Sequence, residues 1–286
     1  MAVKWWGWGA EGHTVSLKAR PSLLFYLRGA IGGLEGDALP VPTPESVALP
    51  PSRLPETELA AFREILWDKP VATSHAERLL HAVGKSYRDL LRLRLGLVPS
   101  APDAVLFPET EDQVARILSR CADRRIAVVP FGGGTSVVGG VEVAERSMPH
   151  IALDLRRMAR LLDIDAVSHT ATAESGILGP ALEQGLAGKG LTLGHFPQSF
   201  EFSTLGGWIA SRSAGAYSNR YGKIEDLVAG LRLIAPAGTF VFRARPRHAM
   251  GFDLLGLVVG SEGTLGVVSR ATVRVHAAPE TRVFES

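Results

Sequence analysis

Pro130-Phe131-Gly132-Gly133-Gly134-Thr135-Ser136-Val137-Val138-Gly139-Gly140 leaves the β-branched stretch Ile126 to Val129 directly. Three consecutive glycines let backbone N–H groups converge with no Cβ in the way, and Thr135 and Ser136 add hydroxyl donors. Such a nest suits a pyrophosphate. Two familiar phosphate loops fail on spacing. A G-x-G-x-x-G fingerprint begun at Gly132 needs glycine where Val137 stands, and a Walker loop needs lysine where Gly140 stands. A glycine-rich turn without a ligand is the alternative this stretch alone leaves open.

Working outward, Ala104 to Phe107 is a short buried-strand pattern ended by Pro108. Thr110 with Gln113 three residues later is a capping box, opening a helix with Val114, Ile117, Leu118 and Cys121 on one face. Strand, helix and the strand Ile126 to Val129 form a βαβ unit, which predicts two parallel neighbouring strands. Downstream the pattern is mainly β. His150 to Leu155 reads as a strand, Leu161 to Ile164 and Thr170 to Ala173 as a hairpin, and Gly179 to Leu186 as a helix. Leu191 to Leu193 is extended, Leu231 to Ala235 and Thr239 to Phe242 are strands joined by Pro236-Ala237-Gly238, and Gly266 to Val275 alternates as a half-exposed strand.

Upstream, residues 36 to 55 hold six prolines and read as an extended linker. Glu56 to Trp67, Glu77 to Val83 and Ser86 to Leu95 read as helices. The fold class is α+β, with a helical N-terminal segment over 1–98 and a second domain over 99–286.

Of the 286 residues, 46% are hydrophobic and 21% charged, the balance of a soluble globular protein and not of a disordered, collagen-like or coiled-coil chain. The single cysteine, Cys121, reads as core and excludes a disulfide framework or a zinc cluster of several thiolates. No His/Cys/carboxylate cluster has metal spacing, and no Ser-His-Asp set can be placed. A net charge of +2 with scattered basic residues gives no case for a nucleic acid partner. Met1 to Gly9 holds three tryptophans but no apolar run with a cleavage site, so a cytoplasmic address is expected. The apolar stretch within Pro21 to Leu34 is too short for the roughly 20 residues of a membrane span. It reads as a helix packed on the domain, with a peripheral contact at the inner face of the membrane as the alternative.

Four further segments extend the signal of the glycine run. They are Pro197-Gln198-Ser199-Phe200-Glu201-Phe202-Ser203-Thr204-Leu205-Gly206-Gly207-Trp208, Ile209-Ala210-Ser211-Arg212-Ser213-Ala214-Gly215, Tyr221-Gly222-Lys223-Ile224-Glu225-Asp226-Leu227 and Gly260-Ser261-Glu262-Gly263-Thr264-Leu265-Gly266-Val267. With Lys4-Trp5, Trp8-Gly9 and Ala101-Pro102-Asp103 before them, their order resembles the PCMH-type FAD-binding fold of the vanillyl-alcohol oxidase superfamily. Within it the chain is similar to the alkyldihydroxyacetonephosphate synthase family, which makes the ether bond of ether lipids. The resemblance covers nearly the whole chain.

That resemblance implies a two-subdomain fold and non-covalent FAD. Pro130 to Ser136 (Pro130, Phe131, Gly132, Gly133, Gly134, Thr135, Ser136) would be the pyrophosphate loop. Pro197, Gln198, Ser199, Phe200, Glu201, Phe202 and Ser203, with Ala210, Ser211, Arg212 and Ser213, would line the flavin and its ribityl chain. Glu262, Gly263, Thr264, Leu265, Gly266, Val267 and Val268 would hold the adenosine side or the ring through backbone contacts. Arg212 would either balance pyrophosphate or ring charge or be a surface arginine at a helix end. Glu201 and Asp226 are expected to bond their own loops, with a catalytic role as the alternative. Thr135 stands where covalently flavinylated relatives place histidine, and it cannot form that link. His195 is expected to be structural, with a place beside the ring as the alternative.

The same resemblance implies a cap domain after the FAD domain, carrying the catalytic groups, so no catalytic residue is assigned here. The chain ends at Ser286, which leaves three readings: a truncation, a split enzyme with its cap on another chain, or a degenerate protein. The function expected is that of the FAD-binding portion of such a flavoenzyme, exchanging an acyl for an alkyl group through flavin N5 on a small, lipid-like substrate. The alternatives are an FAD-linked 2-hydroxy-acid oxidase or dehydrogenase and a non-catalytic flavin-binding subunit. The partners expected are a separate cap chain or a second copy.

Overall fold

The computed structural model describes residues 3–13, 19–32, 40–143, 148–246 and 251–281. Leu34 and residues 36–39 of the expected linker lie outside the described residues.

The N-terminal part holds helix α1 (Pro21–Ile31), a short 3-10 turn (Pro44–Ser46), and helices α2 (Glu56–Ile65), α3 (His75–Leu80) and α4 (Tyr87–Arg94). Ser86 starts α4 with a reciprocal capping box, exchanging hydrogen bonds with Asp89 at 3.1 Å in both directions. Strand β1 (Ala104–Leu106), helix α5 (Glu111–Arg124), and strands β2 (Ala127–Phe131) and β3 (His150–Asp154) follow. Thr110 caps α5 by accepting from the Gln113 amide at 3.2 Å. Gln113 Oε1 accepts from the Glu109 amide at 2.7 Å, one residue earlier than a capping box requires.

The expected pairing of the first two strands is corrected. The sheet order is β1-β3-β2, all parallel, so β3 separates them and belongs to this sheet and not to the later β block. Every residue of β3 is buried, which suits the central place. β2 carries Pro130, which has no N–H to donate and therefore suits an edge.

Strands β4 (Leu161–Asp165) and β5 (Thr170–Glu174) form the expected hairpin, followed by helix α6 (Gly179–Ala187), strand β6 (Leu191–Thr192) and helices α7 (Leu205–Ser211), α8 (Ser218–Tyr221) and α9 (Ile224–Leu227). Then come strands β7 (Val228–Ala235) and β8 (Gly238–Phe242), helix α10 (Leu254–Val258), and strands β9 (Val267–Arg274) and β10 (His276–Ala277). The second sheet is antiparallel in the order β4-β5-β9-β7-β8, and β10 pairs with β6.

Three clusters of buried side chains hold this together. One packs α2 and α5 on the parallel sheet through Phe62, Ile117 and Leu153. Another packs α6, α7 and α9 on the antiparallel sheet through Leu182, Trp208 and Leu227. The third, around Leu79, Val83, Leu93 and Ala101, joins α3 and α4 to the chain entering β1. Helix α1 forms, but the packing expected of it is slight, with Leu24 and Leu27 half-buried. None of its residues is buried, and Phe25 is 82% exposed. Its apolar residues run consecutively from Leu23 to Leu27 and so wrap round the helix instead of forming a stripe.

Candidate functional site

The loop after β2 is shaped by what presses on it. A Cβ on Gly133 would collide with the Phe202 carbonyl, and one on Gly132 with the Thr204 hydroxyl. Gly134 sits at φ +65° with the Phe131 ring beneath it, a conformation and a space that suit glycine. The glycine run therefore lies flat against residues 202–204 while its other face is open. Among the described residues the amide N–H groups of Gly132, Gly133, Gly134, Thr135 and Ser136 have no acceptor within the chain. These five donors line one side of a cavity of about 360 Å³, within the roughly 300–1,000 Å³ of ligand sites.

The loop is braced from behind. The Lys85 amide donates to the Ser136 carbonyl at 2.7 Å, and the Lys85 ammonium donates to the carbonyls of Lys4 at 2.7 Å and Trp5 at 3.0 Å. Burial pushes the Lys85 pKa down to about 8, with Asp89 opposing it. Arg92 grips Glu142 with both terminal nitrogens, at 2.8 and 2.7 Å. Under Phe131, the His81 ring lies 4.3 Å away and its Nε2 is 3.0 Å from Asp154 Oδ2. Arg156 also donates to Asp154. Asp103 is fully buried and accepts from the amides of Arg53 and His150, at 2.8 and 2.9 Å.

Across the cavity stands α7. Thr204 caps it by accepting from the Gly207 amide at 3.2 Å. Trp208 Nε1 donates to Ser203 Oγ at 2.7 Å, and Ser203 donates on to the Ser199 carbonyl at 2.9 Å. The loop 260–266 is pinned to α7 by the amides of Gly260 and Glu262, which donate to the carbonyls of Ile209 and Ala210. That loop brings Glu262, at φ +48°, against Gly140.

The structure brings Pro130 to Ser136, Ser199, Ser203, Ala210, Ser211, Ser213, Glu262, Gly263, Gly266 and Val268 onto one cavity. Pro197, Gln198, Phe200, Glu201, Phe202, Thr264, Leu265 and Val267 do not line it. Phe200 and Trp208 lie parallel with centroids 6.3 Å apart, and Val267 is buried in the core of the parallel sheet. Arg212 faces away: its Nε donates to the Val259 carbonyl at 2.8 Å, in a separate cleft with Asp253 and Arg274. Asp226 bonds its own loop, accepting from the Lys223 amide at 3.1 Å. Cys121 is buried, and its thiol is pushed up to about 12 chiefly by that burial.

Lining residues not assigned from sequence include Thr204, Gly206, Gly207 and Trp208, which stand in the quoted motifs, and Leu155 and Ser175, which carry no local signal. His195 is fully buried, with Nε2 at 3.1 Å from Ser213 Oγ and its ring 5.0 Å from Trp208. Burial pushes its pKa down to about 4.

An elongated dinucleotide with a pyrophosphate and a flat ring fits this arrangement. The unpaired amides of the glycine run are donors open to an anion such as a pyrophosphate, and glycines on both walls leave room for close backbone approach. Glu262 is the one charged side chain among the described lining residues, so any anion here is held by dipoles and not by a cation. No described helix is long and apolar enough to cross a membrane.

Residues 102–242 match the FAD_binding_4 family, described as an FAD binding domain. The chain is 37% identical to alkyldihydroxyacetonephosphate synthase of Trypanosoma brucei brucei, over 99% of this chain and 49% of that protein. It is 40% identical to the synthase of Dictyostelium discoideum, over 81% of this chain and 38% of that one. Glycolate oxidase subunit GlcD of Bacillus subtilis is 36% identical over 64% of this chain and 39% of its own length. A solved structure of alkyldihydroxyacetonephosphate synthase superposes with a TM-score of 0.88 at 32% identity, covering 98% of this chain and 55% of that one. The chain thus spans about half the length, or less, of the relatives it matches. Residues 102–242 match an FAD binding domain, and the chain has the fold of the part of alkyldihydroxyacetonephosphate synthase on which it superposes.

Proposed function

We propose that this chain is the FAD-holding portion of a flavoenzyme similar to alkyldihydroxyacetonephosphate synthase, exchanging an acyl for an alkyl group on a lipid-like substrate. The observation that carries this reading is the reach of the similarity. It runs through 99% of the chain for the Trypanosoma synthase, including the N-terminal segment, whereas the glycolate oxidase subunit matches 64%. That N-terminal segment braces the pyrophosphate loop through Lys85 and Arg92. We read residues 1–98 as a support built onto the FAD domain of 99–286, since α2 shares a core with β1 and α5.

The amides of Gly132 to Ser136 would hold the pyrophosphate. Ser199, Ser203, Ala210, Ser211, Ser213, Glu262, Gly263, Gly266 and Val268 would face the flavin and adenosine parts, with the other residues of 197–203 and 262–268 acting through the backbone they position and Arg212 holding the 256–259 segment instead. Bound FAD supplies an electron-pair acceptor at its ring. The chain's own residues bind and orient it, and Thr135 offers no covalent tether. Substrate-facing groups would come from a cap on another segment, a separate chain or a second copy, and the work would be cytoplasmic, with at most a peripheral membrane contact. A 2-hydroxy-acid oxidase is the second reading, favoured by the 36% identity to the glycolate oxidase subunit.

The test is the visible spectrum of the purified chain before and after acid precipitation, with Gly133→Ala beside it. The expected result is oxidised-flavin bands that move to the supernatant, and a colourless G133A that still folds. A chain that stays colourless after incubation with excess FAD and desalting overturns the reading.

A further inference from the structure

His195 is fully buried, and among the described residues its Nδ1 has no hydrogen-bond partner. Its Nε2 faces a single group, Ser213 Oγ, at 3.1 Å. At neutral pH the ring carries one proton, because burial holds the imidazolium form off until about pH 4. That proton has two places. On Nδ1 it would be a buried donor with no acceptor, a costly and rare arrangement. On Nε2 it makes the hydrogen bond to Ser213 and leaves only a bare lone pair at Nδ1.

The choice of tautomer decides what Ser213 does. A hydroxyl has one hydrogen and two lone pairs. If Ser213 Oγ accepts from His195, its own hydrogen is free. Among the described residues the one carbonyl that could take it, on Ala214, lies 3.4 Å away, beyond the roughly 2.5–3.0 Å of a good O–H···O bond. Ser213 lines the cavity.

We propose that His195 is a positioning residue that donates from Nε2 to Ser213 Oγ, so that the Ser213 hydroxyl turns its hydrogen into the cavity and donates to an acceptor atom of the flavin. This rests on the reading of the cavity as the FAD site. It gives the wall across from the glycine run a directed donor, built by a side chain that never touches the cofactor.

The test titrates FAD into the flavin-stripped chain and its variants Ser213→Ala, His195→Leu, His195→Gln and the S213A/H195L double variant, following flavin fluorescence and absorption. S213A and H195L are each expected to weaken binding about tenfold, and the double variant about as much as either single one, because both break one relay. H195Q, whose amide N–H reaches towards the place of Nε2, is expected to recover most of the affinity. S213A and H195L are expected to shift the bound-flavin bands alike. Wild-type affinity in S213A, additive losses in the double variant, or no recovery in a folded H195Q overturns the inference while the FAD site stands. Should H195L not fold, S213A and H195Q still decide it. A wild-type chain that takes up no FAD overturns the site reading, and this inference with it.

Discussion

Asp154 and His195 are both fully buried, but acid reaches them in separate windows. Burial alone would raise the Asp154 pKa; the hydrogen bonds from His81 and Arg156 outweigh it and hold the carboxyl below its ordinary range. A carboxyl lowered in the folded state contributes stability above its unfolded pKa, about 3.9. It loses that stability as pH falls through the lower folded value. His195 behaves differently. Its folded pKa is about 4, while an unfolded histidine takes its proton near 6.5. Between those values the unfolded chain binds more protons, so stability falls as pH drops from about 6.5 towards 4, by up to about 3 kcal/mol. Thermal melts from pH 7 to pH 3 are expected to show the wild type losing stability from pH 6.5 down. H195Q should be flatter between pH 6.5 and 4, and Asp154→Asn should converge on the wild type only below about pH 4. Parallel curves for wild type and H195Q would show that His195 keeps its proton affinity on folding.

At the scale of elements, the two sheets meet at the start of α5. Glu111 accepts from Arg232 of β7 at 2.6 Å and from Ser269 of β9 at 2.8 Å. Ile234 and Val267 from the same two strands enter the core of the parallel sheet. Glu111→Ala removes both hydrogen bonds from a partly buried charged hub, so a loss of about 2 kcal/mol is expected, with weaker FAD binding because the two walls of the cavity lose a shared anchor. Calorimetry and FAD titration of E111A measure both; an unchanged melt would place the joint in the apolar contacts alone. This joint was not legible in the sequence, where Glu111 reads only as an acidic residue in the first turn of a helix. Hairpins and helices with local signals, such as β4–β5 around Asp165 and α5 behind Thr110, were legible because turn and cap chemistry is local. The place of β3 was not, because a strand's neighbours are set by which strand is buried on all sides, a comparison across the sheet. The cavity divides the same way. Its glycine loops announce themselves by composition, whereas Leu155 and Ser175 reach it only through the packing of distant strands, and Arg212, beside cavity-lining Ser211 and Ser213, is turned away by hydrogen bonds to the carbonyls of Gly256 and Val259.

For the molecule as a whole, the cavity draws one wall from the parallel sheet, through residues 130–136 and Leu155, and the other from the antiparallel sheet, through Ser175, α7 and Val268. A ligand seated there contacts both cores at once and adds its binding free energy to the cohesion between them. By mass action, FAD at a hundred times its dissociation constant stabilises the folded chain by about 2.7 kcal/mol. Each kcal/mol moves the melting temperature of a chain of this size by about 2–4 °C, so a rise of roughly 5–10 °C is expected. Riboflavin separates the parts of the effect. It has the ring but no pyrophosphate, so it leaves the amides of Gly132 to Ser136 unused and should give a much smaller rise at equal concentration. Scanning calorimetry with each ligand reads the outcome. Equal rises for FAD and riboflavin would place the binding energy in the ring pocket and remove the glycine run from the account. A full rise with FAD and almost none with riboflavin would place it in the pyrophosphate and adenosine parts that riboflavin lacks, with the open amides beside Phe131 facing the first of them.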